Sequence, residues 1–418
     1  MNSDKYESLI NHDEEVGDAL SKELERQEDT LTMIASENNA SEHVMKAQGS
    51  ELTNKYAEGY PDSRYYAGCE NADTVEKVAI NRAKELWGAE HVNVQPHSGT
   101  QANQAVYLAE LEPGDTILSL KLSHGGHLSH GSPVNFTGQI YNSEHYEVDI
   151  ENGRLDYDAV REMAEEVNPE LIVSGFSAYP REVDFERMQS IADDINAVHI
   201  ADIAHITGLV ATGHHQNPVG ISDYVTGSTH KTIRAGRGGI IMTSEDNADK
   251  VDKAVFPGSQ GGPAMHSIAG KAVGFGEALQ PSFEEYIDNV VSNCEHLATK
   301  LQRNGFELVS GGTDIHLVLI DFQNTHPELT GKKAESALEE VGIIANKNTV
   351  PGDDRSPFVT SGLRLGTPSL TTRGFDEDDM ELLSDTIVDV LNNPESESVL
   401  SEASSVVDRL CSENSIYD

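Results

Sequence analysis

The chain has 418 residues, more than one ordinary domain holds, and its 71 acidic against 29 basic residues give a net charge of −42. Such a surface repels nucleic acid, and no stretch is long and apolar enough to cross a bilayer. The N-terminal sequence lacks the apolar core of a secretory signal, and three scattered cysteines give neither a disulfide framework nor a zinc site, so a cytoplasmic protein is expected.

High net charge also reads as disorder. Here, however, short apolar runs recur along almost the whole chain. The expectation is a folded protein with a carboxylate-covered surface, whose self-repulsion is screened in concentrated salt. That points to a high-salt organism. Undiminished stability and activity in dilute buffer would count against it.

In chain order, residues 1–50 read as a mainly helical arm, with LSKELERQEDTLTMI as its clearest amphipathic piece. From about residue 90 strands and helices alternate. HVNVQP is a strand, SGTQANQAVYLAELEPG a helix stopped by Pro-Gly, and TILSLKL a strand. DYDAVREMAEEVNP is a helix, LIVSGFSAYP a strand and FERMQSIADDINA a helix. AVHIADIAH, DYVTGST and GGIIMTS then read as strands. Apolar strands between helices imply an α/β domain with a mostly parallel sheet covered on both faces, over 51–280. Residues 281–304 form a long helix ended by glycine. FELVSGGT, HLVLIDF, a helix near 331–341 and a helical stretch from Asp376 complete a smaller α+β domain, 281–418. The acidic tail from Glu395 reads as a solvated helix face and a fraying end.

The motif TGSTHKTIRAGRGG places Lys231, Arg234 and Arg237 in a loop between two strands. The glycine spacing is wrong for a P-loop. A lysine at the end of an open α/β sheet lies where ligands bind, and it can form a Schiff base with a carbonyl cofactor. Pyridoxal phosphate would need three more things. An acidic partner for its ring nitrogen is offered by Asp202, which alone reads as a helix cap. A helix N-terminus for its phosphate is offered by Ser98, Gly99 and Thr100, which alone read as ordinary capping. A carboxylate clamp for an amino acid is offered by Arg364, which alone reads as a surface ion pair. Their joint occurrence in this chain order is more specific than any one of them. His124, His127 and His130 share helical spacing, but no fitting Cys or Glu set accompanies them, and no metal site is expected.

The residues then carry a resemblance. IASEN (34–38), LTNKYAEGYPDSRYYAGCE (52–70), NVQPHSGTQAN (93–103), HGGHLSHGSPVNF (124–136), ADIAHITGLVATG (201–213), STHKTIRAGRGG (228–239), AVFPGSQGGPAMH (254–266) and SPFVTSGLRLGTP (356–368) resemble serine hydroxymethyltransferases along nearly the whole chain. The resemblance implies a fold-type-I pyridoxal-phosphate transferase, a homodimer or tetramer with shared active sites. Tetrahydrofolate or a related tetrahydropterin would be the co-substrate, in the conversion of serine to glycine. Lys231 would hold the cofactor and Asp202 would pair with its ring nitrogen. His127 would stack on the ring, and His205 and Ser177 would meet its 3-hydroxyl side. Ser98, Gly99, Thr100 and His230 would cradle the phosphate, with Tyr56 and Gly262 reaching it from the neighbouring subunit. Arg364 and Ser36 would bind the substrate carboxylate, Arg237 would brace the site, and Glu58, Tyr65 and Tyr66 would lie at the reacting groups. Leu122, Gly126, His127, Leu128, Asn348, Ser356, Pro357 and Phe358 would meet the pterin. Glu58 would transfer a proton, to serine's hydroxyl or to a pterin intermediate.

The chain departs from the family pattern at Gly227 and Ser228, in a run usually of threonines, and at Gly236, where proline is common. Gly236 is expected to loosen the loop. A threonine aldolase or an aminotransferase would share the lysine chemistry without the pterin contacts. A non-enzymatic RNA- or partner-binding protein is opposed by the charge and by the complete catalytic set.

Overall fold

A computed structural model describes residues 5–417. The first four residues of the expected arm, and Asp418 of the acidic tail, lie outside the described residues.

Seven strands form the central sheet: β1 (His91–Asn93), β2 (Thr116–Leu120), β3 (Asn142–Tyr146), β4 (Leu171–Ser174), β5 (Val198–Asp202), β6 (Tyr224–Ser228) and β7 (Gly239–Thr243). Their spatial order is β1-β7-β6-β5-β4-β2-β3. β7 runs antiparallel to both neighbours, and every other pair is parallel. The connectivity explains this. β6 and β7 are joined by the loop 229–238 without a crossover helix, so the chain returns antiparallel. β4, β6 and β7 are buried along their whole length; β4 and β7 do this with the apolar runs LIV and IIM, β6 with the small and hydroxyl residues of YVTGS. β3, with the polar sequence NSEHY, is a half-exposed edge strand and gave no apolar signal.

A second sheet joins Glu307–Leu308, Leu317–Asp321, Gly362–Gly366 and Asn346–Asn348, all antiparallel. The helix Pro281–Arg303 serves two cores. Phe283, Ile287 and Val290 pack with the central sheet, while Cys294, Leu297 and Leu301 pack with the second one.

The N-terminal arm corrects one expectation. The helix runs Glu14–Asp29 and stops there, so LTMI is not part of it. Leu31–Thr32 instead pairs in parallel with Ile343–Ile344, and Leu31 and Met33 are buried in the second core. The residues that follow turn at Ala35–Ser36, where the Glu37 N–H donates to the Ile34 carbonyl at 2.9 Å, and bring Ser36 and Glu37 to the central cavity. FELVSGGT is likewise only briefly a strand: after Leu308 the chain turns at Ser310, with φ 61°.

Candidate active site

The C-terminal ends of the parallel strands deliver the expected side chains to one place, as open α/β sheets do. β5 ends on Asp202 and the adjacent β6 ends three residues before Lys231. β4 ends at Ser174, and Gly175 turns the chain towards Ser177. Gly175 has φ 132°, and a Cβ there would lie 2.8 Å from the Asp202 carbonyl carbon, so only glycine fits. β1 leads into Ser98, the N-cap of helix Gly99–Glu110, whose hydroxyl accepts from the Gln101 N–H at 3.2 Å. Arg364 comes from the second sheet and Ser36 from the arm.

These residues enclose a cavity of about 400 Å³. Ser36, Ser98, Gly99, Thr100, His127, Ser177, Asp202, His205, His230, Lys231, Arg237 and Arg364 all line it. Glu37, Phe176 and Ala204 line it as well, without having been named in the sequence, as do His130, noted there only for its spacing, and Ser228, noted only as a departure from the family pattern.

The cavity is electrostatically unusual. Burial pulls the Lys231 ammonium down to about 8, with Asp202 opposing and Arg364 and Arg237 assisting. Burial alone would raise the Asp202 carboxyl, but hydrogen bonds hold it below the usual carboxylate range. Its Oδ2 accepts from Nε2 of His130 at 2.9 Å and from Nδ2 of Asn103 at 2.8 Å, and its Oδ1 accepts from the Ala204 N–H at 2.9 Å. Asn103 also accepts from the Thr226 hydroxyl at 2.6 Å, which fixes the amide's orientation. Burial lowers His127 to about 4 and His230 to about 3. His205 is lowered too, chiefly by burial, and its ring stacks on His316 with centroids 5.5 Å apart. Arg364, drawn to about 10 by burial, donates from Nη1 to the Ser177 carbonyl at 2.6 Å and from Nε to Asn346 Oδ1 at 3.2 Å.

The donor set fits pyridoxal phosphate. Nδ1 of His230 is buried with no hydrogen-bond partner, beside the first N–H groups of helix Gly99–Glu110. Together these are the donors an anion site requires. A buried amine, an ionised carboxylate and a guanidinium complete what the cofactor and an amino acid require.

Comparison with known proteins agrees. A family model described as serine hydroxymethyltransferase matches residues 9–387. The serine hydroxymethyltransferase of Natronomonas pharaonis is 64% identical over 412 residues, covering 99% of this chain and 97% of that protein. Those of Halorubrum lacusprofundi, 64% identical, and Halobacterium salinarum, 62% identical, each align over 413 residues, 99% of this chain and 100% of theirs.

The chain belongs to the serine hydroxymethyltransferase family.

It therefore has the fold of a fold-type-I pyridoxal-phosphate enzyme, and its activity is the family's glycine hydroxymethyl transfer, with tetrahydrofolate as co-substrate. All three relatives come from halophilic archaea, in keeping with the acidic composition.

Not every residue implied by the family resemblance lies in the cavity. Tyr56, Glu58, Tyr65, Tyr66 and Gly262 form a separate group on the surface of the same chain. The Tyr56 hydroxyl donates to Glu58 Oε1 at 3.1 Å, its ring stands edge-on to Tyr66 at 5.3 Å, and Gly262 lies beneath it. Tyr65 is 73% exposed and packs against Phe256. The group is held from below by Arg64, which donates to Glu76 at 2.5 Å, to Asp73 at 2.8 Å and to the Ala57 and Gly59 carbonyls. Leu122, Leu128 and Phe358 are exposed apolar side chains, and Ser356 and Pro357 are exposed with them. Asn348 is half-buried, bonded to the Thr349 carbonyl, and Gly126 is packed against Leu120.

Two readings of the lysine loop are sharpened. Arg234, which had no role in the sequence, lies over the Tyr286 ring at 4.1 Å and donates to Thr372, tying the loop to the long helix. Gly236 does not loosen the loop. Its φ is 78°, which proline's ring cannot adopt, it is buried, and its carbonyl accepts from the Thr229 hydroxyl at 2.7 Å. Sequence reasoning also missed Asn103, His130 and His316. The spacing of His127 and His130 signals a shared site, in which His130 serves Asp202 and not a metal.

Proposed function

We propose that the cavity holds pyridoxal phosphate and serine, and that this chain's residues divide the work of moving serine's hydroxymethyl carbon to tetrahydrofolate as follows. The observation that supports this most is the meeting, in one buried cavity, of Lys231, Asp202, the Ser98–Thr100 helix start and Arg364. When bound, the cofactor supplies an electron sink for the pair released as the Cα–Cβ bond breaks.

Lys231 would be the amine that holds the cofactor through its carbonyl. At a pKa of about 8, about one lysine in ten is neutral at pH 7, against roughly one in three thousand ordinarily. Asp202 stays ionised, positioned by His130 and Asn103, and keeps a proton on the ring nitrogen. The Gly99 and Thr100 N–H groups and His230 Nδ1 would hold the phosphate, and neutral His127 would face the cofactor ring. Arg364 spends Nη1 and Nε within the chain and offers Nη2 to the substrate carboxylate, which fixes the bond to be broken. Arg237 and Ser36 support that end, and Ser177 and His205 the opposite one.

Glu58, Tyr65 and Tyr66 act, with Tyr56 and Gly262, in the cavity of a second copy, so that the working unit is at least a homodimer. Leu122, Leu128 and Phe358, with Gly126, Asn348, Ser356 and Pro357, receive the pterin. The division into an arm (1–50), a large part (51–280) and a small part (281–418) belongs to the same proposal. So does a cytoplasmic location, supported by three buried free cysteines and by the finding that no described helix is long and apolar enough to cross a membrane.

The test is glycine formation from serine in molar salt, with and without tetrahydrofolate. Strong stimulation by the pterin is expected. Equal turnover without it would sink the reading in favour of a plain aldolase.

A further inference from the structure

Behind the cavity sits a buried cation that has no salt-bridge partner among the described residues. Lys271, on the helix Met265–Ala278, is 1% exposed. Its Nζ donates to three main-chain carbonyls: Val94 at 2.6 Å, Gly239 at 2.8 Å and Pro96 at 3.0 Å. Val94 and Pro96 lie in the turn that carries β1 into Ser98, and Gly239 opens β7. The Pro96 carbonyl also accepts from the Gly239 N–H at 2.9 Å, so ammonium and strand grip the same oxygen.

Two glycines make room for this contact. A Cβ on Gly238 would lie 2.6 Å from the Lys271 ammonium, and one on Gly239 would lie 2.6 Å from the Ser98 carbonyl carbon. Ammonium, glycine pair and helix start are therefore stacked without a gap. Its charge is felt at His97, the residue before Ser98, which burial first and Lys271 second push below the ordinary histidine value. Burial lowers Lys271 itself to about 7, the Glu76 charge opposing. An unpaired buried cation is costly, and three carbonyls aimed at one ammonium are what offset that cost here.

We propose that Lys271 is a positioning residue for the cofactor's phosphate: by clamping the Val94, Pro96 and Gly239 carbonyls behind the turn, it sets the Ser98–Thr100 N–H groups in register for the anion. The inference rests on the assignment of Ser98–Thr100 to the phosphate. It gives Lys271 no contact with substrate or cofactor.

The test uses the full chain, stripped of cofactor and titrated in molar salt with pyridoxal phosphate and, separately, with pyridoxal, which lacks the phosphate. Lys271→Met and Lys271→Gln are expected to weaken pyridoxal phosphate by about tenfold or more and pyridoxal by less than about twofold. No change, or equal weakening of both ligands, overturns the proposal. Failure of both variants to fold also overturns it, since Lys271 would then serve the core alone. Ser98→Ala is the control on the underlying assignment. A phosphate-selective loss in Ser98→Ala but not at Lys271 refutes only the role of Lys271. No selective loss in any of the three variants refutes the phosphate cradle itself.

Discussion

The cavity and the Tyr56–Tyr66 surface group carry residues implied by the same family resemblance, in opposite surroundings. Lys231 and Arg364 are 9% exposed and Asp202 8%, with Asp202 held by His130 and Asn103 and Arg364 by Ser177 and Asn346. Tyr56 is 56%, Tyr65 73% and Tyr66 49% exposed, in a loop held only from beneath. Burial shifts the inner groups' proton affinities and fixes their positions, so that set is finished within one chain. The outer set is arranged but uncovered, a combination that makes sense when a second copy completes it.

Asp202→Ala is expected to break the inner set most severely. It removes stabilisation that grows as charge develops, and turnover should fall by several orders of magnitude, about 10³-fold or more. A loss under about tenfold would show that the buried carboxylate is structural. The outer set is tested by mixing two inactive chains, Lys231→Ala and Glu58→Gln. If Glu58 serves its partner's cavity, half of the dimers are hybrids with one complete site each, and about a quarter of the activity returns. If Glu58 serves its own chain's cavity, no activity returns.

The sealing of the interior has a signature in pH. His199 and His316 are fully buried, and burial puts both at about 3. In the unfolded chain they take up protons below about 6.5, which the folded state refuses. The contribution of these two histidines to stability is therefore complete above pH 6.5 and is lost as pH falls from there towards 3, by roughly 1 kcal/mol per pH unit for each histidine. Urea unfolding at pH 7 and pH 5 measures it, and a flat profile would mean that these rings are open to water. The smallest effect belongs to the strap between the lysine loop and the long helix. Arg234→Leu loses the contacts with Tyr286 and Thr372 and is expected to cost about 1 kcal/mol in thermal unfolding, with turnover little changed.

The elements with local signatures were legible early. β4, β5 and β7 carry short apolar runs, β6 is bounded by them, and helix Gly99–Glu110 has its Ser98 cap and a Pro-Gly beyond its end. The edge strand β3 was not legible, because one half-exposed polar strand has no periodic apolar pattern. The long helix was placed correctly, but not its membership of two cores, since one amphipathic pattern does not say what covers each half.

By itself the sequence determined the family, the α/β architecture and the set of side chains gathered around Lys231. It did so through local periodicity and through motifs whose residues lie close together in the chain. Only the tertiary structure decided what supports them. Asn103 meets Asp202 across 99 positions of sequence, and Lys271 meets Val94 across 177. Such contacts depend on strand order and crossover geometry, which no short window of sequence contains. The same holds for Gly236, whose positive φ belongs to the loop that leads back into β7.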